Sequence, residues 1–486
     1  MNLPQETMLR RTKIVATLGP ASNDVKVLEE MISAGVDVVR MNFSHGTAQD
    51  HMERAEKVRA AAAACGRTVG ILVDLQGPKI RVGKFQNDKI ILNDGDTFIL
   101  DANWTAPGTQ ERVGLDYKEL PNDVSKGSVL MLNDGMLEFD VIGVKGSEVT
   151  CKVVRGGVLS NNKGINRKGG GLTAPALTDK DKDDIKTAAL IKADFLAVSF
   201  PRSADDMQLA RQLMQAAGGA SLLVAKIERA EAIPVLDEII EASDAIMVAR
   251  GDLSVEVGDA AVPGLQKRMI KMARAKNRLV ITATQMMESM ITNPIPTRAE
   301  VSDVANAVLD GTDAVMLSAE TAVGDYPVET IQAMARICIQ AESEVVEGEI
   351  DRRLVVHGKC TRIDQSIAMS ALYAATHFKV KAIVALTQSG STTLWMSRMN
   401  VGVPIFALTP IKATLSKVTL FSGVHPISFK PSSKDASIAL REAEDELARL
   451  GLVKDGDQMV MTIGEAIGES GHTNTLKIVC VGDHKG

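Results

Sequence analysis

Short runs of apolar, β-branched residues alternate along the chain with longer stretches whose apolar positions recur every three or four residues. Lys13–Leu18, Val36–Asn42 and Gly70–Leu75 predict strands, and Val25–Ala34 and Ala48–Cys65 between them predict helices. This βαβ rhythm is that of a parallel sheet covered by helices. It breaks between about Pro78 and Thr173, where Gly, Asn and Asp separate the short runs Lys89–Leu92, Thr97–Leu100, Ser128–Leu132 and Glu148–Val154. The turn signals Asn93-Asp94-Gly95 and Asn133-Asp134-Gly135 make this segment a small all-β insertion, with Lys168-Gly169-Gly170-Gly171 as its return hinge.

The rhythm resumes with Phe195–Ser199, Ser221–Ile227, Ala245–Ala249, Leu279–Thr282 and Ala314–Leu317. Three strands before the insertion and five after it make eight, the number that closes a (β/α)8 barrel. Charged, loop-like sequence around Val345–Arg353 marks a further boundary. Beyond it, Ala382–Leu386, Pro404–Leu408, Gly423–Ser428, Gln458–Thr462 and Leu476–Val481 predict a separate α/β domain with a mostly parallel sheet. The predicted division is residues 1–76 and 174–343 for the barrel, 77–173 for a small inserted β-barrel, and 344–486 for the C-terminal domain.

Composition changes this picture little. A length of 486 residues fits two to four domains at roughly 100–200 residues each. With aromatics at 3%, the core must be aliphatic. A net charge of −6 argues against a nucleic-acid partner, which calls for a basic face. Cys65, Cys151, Cys338, Cys360 and Cys480 form no C-x-x-C pair, so neither a zinc nor a redox motif is expected, and scattered thiols fit a reducing cytoplasm. No signal-peptide pattern opens the chain and no apolar run reaches the roughly 18 residues of a membrane span, so no membrane association is expected.

Chemistry in a barrel of this kind sits at the C-terminal ends of its strands. Those ends carry Thr17-Leu18-Gly19-Pro20, Arg40-Met41-Asn42-Phe43-Ser44-His45, Asp74-Leu75-Gln76-Gly77-Pro78-Lys79-Ile80-Arg81, Ser199-Phe200-Pro201-Arg202, Lys226-Ile227-Glu228, Arg250-Gly251-Asp252, Thr282-Ala283-Thr284 and Ser318-Ala319-Glu320. Taken singly, each reads as a surface ion pair or a helix cap. Eight loaded ends on one rim do not. Glu228 and Asp252 are hard oxygen donors, too few to cage a metal alone and suited to Mg²⁺ completed by water and substrate oxygens. Arg40, Arg81 and Lys226 supply charge for a transferring phosphoryl group. The turn at Arg250-Gly251-Asp252 opens a helix whose N–H groups suit a carboxylate.

The strings TKIVATLGPAS, VVRMNFSHG, GPKIR, LSNNKGIN, LVAKIERAEA, IMVARGDL, ITATQMMESM, PTRAEVSDVANAVLDGTDAVMLSAET and SGHTNT resemble the pyruvate kinase family over nearly the whole chain. The resemblance implies phosphoryl transfer from phosphoenolpyruvate to ADP on a (β/α)8 barrel with a β lid and a C-terminal α/β effector domain. It implies Glu228 and Asp252 as Mg²⁺ ligands (Mn²⁺ as a substitute), Lys226 bridging the phosphoryl group, and Arg40 and Arg81 holding its oxygens. Gly251, Asp252 and Thr284 would take the substrate carboxylate. Thr284, Ser318 and Glu320 would line the proton path, with the donor left open. Thr17, Pro20, Asn42, His45 and Arg81 resemble the nucleotide side, with Lys163 reaching from the lid. Family members are typically homotetramers.

Two departures bear on chemistry. Potassium-dependent members carry Glu where this chain has Lys79, and often Thr where it has Leu75. Asn42, Ser44 and Asp74, the remaining K⁺ ligands, are present. The expectation is a vestigial site, Lys79 standing in for the ion, and little dependence on K⁺. Ser254 replaces a family Gly, a constraint if that position needs positive φ.

In the C-terminal domain, Thr387, Ser389, Gly390, Ser391, Thr392 and Thr393 form a Ser/Thr/Gly loop ahead of a helix. Alone this is a weak phosphate motif; the resemblance makes it an expected effector pocket. The facing loop Gly464–Thr475 lacks the Trp and Arg of fructose-1,6-bisphosphate-activated relatives, so a sugar monophosphate or AMP is the expected effector. Two other readings stand beside this one. One is an Mg²⁺-dependent pyruvate aldolase or lyase on the same barrel. The other is a silent phosphometabolite sensor, which would predict loss of Lys226, Glu228 or Asp252; all three are present.

Overall fold

The computed structural model describes residues 9–344, 360–399, 401–465, 468, 469 and 471–485; the boundary expected at Val345–Arg353 lies outside them. Eight strands, β1 (Lys13–Thr17), β2 (Val38–Asn42), β3 (Gly70–Asp74), β4 (Phe195–Val198), β5 (Leu222–Ile227), β6 (Ala245–Ala249), β7 (Leu279–Ala283) and β8 (Ala314–Leu317), close into a barrel in chain order. Every neighbouring pair is parallel. β2 starts two residues later than Val36. The Val36 N–H still closes the preceding helix on Met31 O, and the Asp37 carboxylate receives Ile14 N–H at 2.9 Å. Four of the barrel helices start at side-chain caps: Asp24 for Val25–Ala34, and the capping boxes Thr47/Asp50, Thr178/Asp181 and Thr297/Glu300 for three others.

Between β3 and β4 the chain leaves the barrel. It forms a six-stranded sheet in the order Ile165–Arg167, Val129–Leu132, Leu137–Lys145, Glu148–Arg155, Thr97–Asp101, Arg112–Gly114, and a ribbon of Lys89–Leu92 with Gly157–Ser160. Phe98, Leu100, Phe139, Val141 and Val149 give this unit its own core. In the C-terminal domain, β9 (Ala382–Leu386), β10 (Ile405–Thr409), β11 (Val424–Ser428), β12 (Gln458–Ile463) and β13 (Thr475–Cys480) form a sheet in the order β11-β10-β9-β12-β13, parallel except for β13.

The barrel interior (Val15, Val38, Leu72, Ala197, Val224, Met247, Ile281, Met316) runs on into the core of the C-terminal domain through Leu372, Met396 and Phe421. The base of the barrel is thus closed by that domain, and Lys13 Nζ donates to Val424 O across the seam at 2.6 Å. Chemistry is left to the opposite mouth. Among the described residues no helix is long and apolar enough to cross a membrane.

Candidate active site

Strand alternation decides which polar groups reach the mouth. Val15, Val38, Leu72, Ala197, Val224 and Met316 belong to the interior cluster, so the residues two further on, Thr17, Arg40, Asp74, Ser199, Lys226 and Ser318, share their face at the C-terminal rim.

These side chains form one connected network. Asp74 Oδ2 receives Arg40 Nε at 2.6 Å, and Asp74 Oδ1 lies 3.2 Å from Lys226 Nζ. Lys226 Nζ also lies 2.9 Å from Glu228 Oε1 and donates to Ser199 Oγ at 2.8 Å. Arg40 reaches back to Thr17 Oγ1 at 3.1 Å. Burial pushes the Asp74 carboxyl up, but Lys226 and Arg40 outweigh it and hold the group below the ordinary carboxylate range. Burial pulls the Lys226 ammonium down, yet Asp74 and Glu228 keep its pKa above the ordinary lysine value. Glu228 goes the other way: burial raises its pKa, Lys226 opposes, and the charges of Asp252 and Asp74 add to the rise.

Ser199 and Phe200 are functional neighbours that sequence reasoning leaves without a role. Ser199 Oγ donates to Leu75 O at 2.7 Å while receiving Lys226. Phe200 N–H fixes Glu228 Oε2 at 3.0 Å from a positive φ of 56°. Thr284, after β7, also has positive φ, at 67°, a conformation costing a β-branched residue about 1–3 kcal/mol. Arg250 straps it down, with Nη2 donating to Thr284 O at 2.7 Å and Nη1 paired with Asp303 at 2.7 Å. Thr284 Oγ1 receives Gly251 N–H at 2.9 Å, so the carboxylate-binding candidates Gly251, Asp252 and Thr284 are adjacent. Glu320 is buried, which pushes its carboxyl up against the backbone N–H groups of Ser318 and Met287 that it accepts.

Of the residues expected on a nucleotide side, Thr17, Pro20, Asn42 and His45 line one cavity of 820 Å³ together with Arg40 and Ser318. Arg81 and Lys163 are not among its lining residues. Arg81 donates to Asn162 O at 3.0 Å and Lys163 O receives Val82 N–H, so both belong to the strand pairing at the root of the insertion.

Lys79 differs from expectation. Its ammonium sits 3.0 Å from Asp252 Oδ1 and 3.8 Å from Asp134 at the tip of the inserted domain. Asp74 is met by Arg40 and Lys226 instead, and Asn42 Oδ1 receives Ser44 N–H at 3.0 Å. Leu75 offers only its carbonyl, already taken by Ser199. The physical reason is charge: Asp74 has its cations, whereas Asp252 faces Glu228 with none nearer. Ser254 needs no left-handed backbone; it lies in the helix Arg250–Val257 and donates to Gly251 O at 2.8 Å.

In the C-terminal loop, Thr387, Ser389, Ser391 and Thr392 line a cavity of about 40 Å³. Thr393 does not; it is fully buried and its hydroxyl donates to Gly390 O. Gly390 has φ 81°, and a Cβ there would lie 2.9 Å from Val418 Cγ1, so glycine is required.

A closed parallel barrel with cations and carboxylates interleaved around its mouth defines a (β/α)8 enzyme of small anionic substrates. The pyruvate kinase barrel-domain family matches residues 9–331, and the pyruvate kinase alpha/beta-domain family matches residues 365–479. The chain belongs to the pyruvate kinase family. It is 55% identical over 478 residues to pyruvate kinase II of Salmonella typhimurium, covering 97% of this chain and 99% of that one. It is 55% identical over 465 residues to the pyruvate kinase of Haemophilus influenzae, with 94% and 96% covered. A crystal structure of a pyruvate kinase from Cryptosporidium parvum superposes with a TM-score of 0.90 at 33% identity, covering 97% and 96%. These matches set aside the aldolase or lyase reading.

Proposed function

We propose that conversion of phosphoenolpyruvate and ADP to pyruvate and ATP, the last step of glycolysis, takes place at the mouth around Lys226. The observation that carries this is the unbroken chain Arg40–Asp74–Lys226–Glu228, which holds two cations rigidly at the rim. Phosphoryl transfer needs positioning and charge neutralisation more than covalent help. Lys226 and Arg40 would spread positive charge over the phosphoryl oxygens, and Arg81 would add to it from the insertion. Gly251, Asp252 and Thr284 would orient the carboxylate. Thr284, Ser318 and Glu320 would serve the methylene carbon that gains a proton. The β insertion would act as a lid and keep out water that could accept the phosphoryl group.

Glu228 and Asp252 fit Mg²⁺. Burial, with the charges of Asp252 and Asp74, pushes the Glu228 carboxyl up against the opposing Lys226, so a divalent ion there would favour its charged form. Among the described residues no three metal-ligating side chains converge, so water and substrate would complete the shell. Bound there, the ion supplies Lewis-acid neutralisation of the phosphoryl and enolate oxygens. Weak dependence on K⁺ is supported by Lys79, whose fixed ammonium faces Asp252 and Glu228 and adds the charge a monovalent ion would bring. A coupled assay of pyruvate formation is expected to require ADP and Mg²⁺, to accept Mn²⁺, and to persist in K⁺-free buffer. Collapse without K⁺ would refute the Lys79 reading alone; pyruvate formation without a divalent ion would refute the metal reading.

The loop Thr387–Thr393 is proposed to take the phosphate of a sugar monophosphate or AMP. Its 40 Å³ holds a few waters, so only part of such a ligand would lie inside it. Ser389→Ala or Thr392→Val is expected to abolish activation by these compounds; unchanged activation curves would count against the pocket. A homotetramer located in the cytoplasm is proposed by resemblance to the family.

A further inference from the structure

We propose that Glu256 is a positioning residue that seats the return hinge of the lid on both carboxylate-bearing segments of the mouth. The inference rests on the reading of Glu228 and Asp252 above. Glu256 lies on the helix Arg250–Val257, one turn after Asp252. Its Oε2 receives the N–H of Ala230, two residues beyond Glu228, at 2.8 Å. Its Oε1 receives Asn166 Nδ2, on the last strand of the lid, at 3.4 Å. Its backbone oxygen receives Gly169 N–H, in the hinge, at 2.9 Å. One residue thus joins the helix of Asp252, the exit of β5 and the hinge.

Neighbouring contacts close the same seam. Glu231 receives Gly171 N–H, Arg229 donates to Leu172 O at 3.1 Å, and Arg202 donates to Thr173 O at 2.8 Å. Gly170 has φ 79°, and a Cβ there would lie 2.5 Å from Glu231 Oε2. The hinge therefore comes as close as only glycine permits. The seat also changes charge near neutrality. Burial pushes the Glu256 carboxyl up to about 7; the Ala230 N–H, Asn166 and Arg229 oppose this and Glu231 adds to it. The charged side chains acting on it are Glu231 and Arg229, from the segment after β5; the lid side presents the neutral Asn166. Because the seat links hinge and mouth, lid position and the Glu228–Asp252 spacing are set together. Glu256 touches no reacting atom.

The test compares full-length Glu256→Ala and Glu256→Gln with the parent. Tryptic cleavage after Arg167 and Lys168 is followed by fragment mass, without substrate or metal, between pH 6 and 8. Steady-state kinetics are measured in parallel. Glu256→Ala removes both side-chain bonds. It is expected to speed hinge cleavage, raise KM for ADP and lower kcat, each by about tenfold or more. Glu256→Gln can keep both bonds once the Asn166 amide turns over. It is expected to stay near the parent at pH 7 and, with rates normalised at each pH to an unstructured tryptic substrate, to lose the parent's remaining pH dependence of cleavage. Parental cleavage and parental KM in Glu256→Ala, or equal damage in both variants, would overturn the proposal. Should Glu256→Ala fail to fold, Asn166→Ala removes only the hinge partner and is expected to speed cleavage likewise; parental cleavage there overturns it too. The proteolytic arm reads the seam even if Glu228 and Asp252 hold no cation, so the two readings fail separately.

Discussion

Lys226→Met is expected to lower kcat by about 10³–10⁵-fold, the range seen when a single cation on a transferring phosphoryl group is removed. The ammonium is buried between Asp74 at 3.2 Å and Glu228 at 2.9 Å, with Ser199 Oγ at 2.8 Å. That gap is shaped for a compact point charge. Lys226→Arg is therefore not expected to rescue, because the planar fork of guanidinium cannot satisfy three close partners set around one nitrogen. Loss of the ammonium also leaves Glu228 beside Asp252 and Asp74 with its main counter-ion gone. Its carboxyl pKa, already raised, must rise further. Stopped-flow or coupled turnover at saturating phosphoenolpyruvate and ADP measures the effect. A kcat within tenfold of the parent would remove Lys226 from the chemistry.

Arg398→Met should destabilise the fold by about 3–5 kcal/mol, the usual cost of orphaning a buried charge. Arg398 follows the helix Ser391–Ser397, whose first turn is the Ser/Thr/Gly loop, and enters the base of the barrel. Its Nη1 donates to Asp313 Oδ2 at 2.8 Å and to Arg278 O at 2.9 Å; the two side chains are 1% and 0% exposed. Asp313 in turn receives Val280 N–H, and its carbonyl receives Lys13 N–H, so the pair anchors β7, β8 and β1 together. With Arg398 gone, Asp313 keeps one backbone donor inside an apolar seam. Arg398→Met combined with Asp313→Leu should recover much of the loss, because an apolar pair avoids desolvating any charge. Trp395, one of two tryptophans in the chain, lies three residues from Arg398 and reports locally. Urea transitions followed through its fluorescence, with Trp104→Phe as background, should move to lower denaturant in the single variant. A shift of under about 1 kcal/mol would show that the pair is not a structural anchor.

Some elements are legible in the chain and others are not, for identifiable reasons. Most barrel strands are buried on both faces and stand out as largely apolar runs. Leu137–Lys145, the longest strand of the lid, escapes the reading. Its apolar residues switch from odd to even positions at Ile142, beside a register shift, so Leu137, Phe139 and Val141 are buried while Ile142 and Val144 fall on the exposed face and no single period marks the strand. Arg112–Gly114 and Ile165–Arg167 are too short for any period to show. At the mouth, Lys226, Glu228 and Asp252 stand out as candidates because eight strand ends carry polar groups on one rim and their strings resemble the pyruvate kinase family. Ser199 is not: a serine at a strand end is unremarkable until Lys226 and Leu75 are found around it.

Local periodicity was enough to predict the barrel, its insertion and the C-terminal domain, since each element depends on neighbours in the chain, and the reaction class was legible only through strings that resemble the pyruvate kinase family. Folding alone decided that Lys79 meets Asp252 instead of Asp74, that Glu256 meets Asn166, and that Arg398 reaches Asp313. Those partners lie 173, 90 and 85 residues apart. No periodicity spans such intervals. A buried charge takes whichever counter-charge the packed strands and hinge bring within reach.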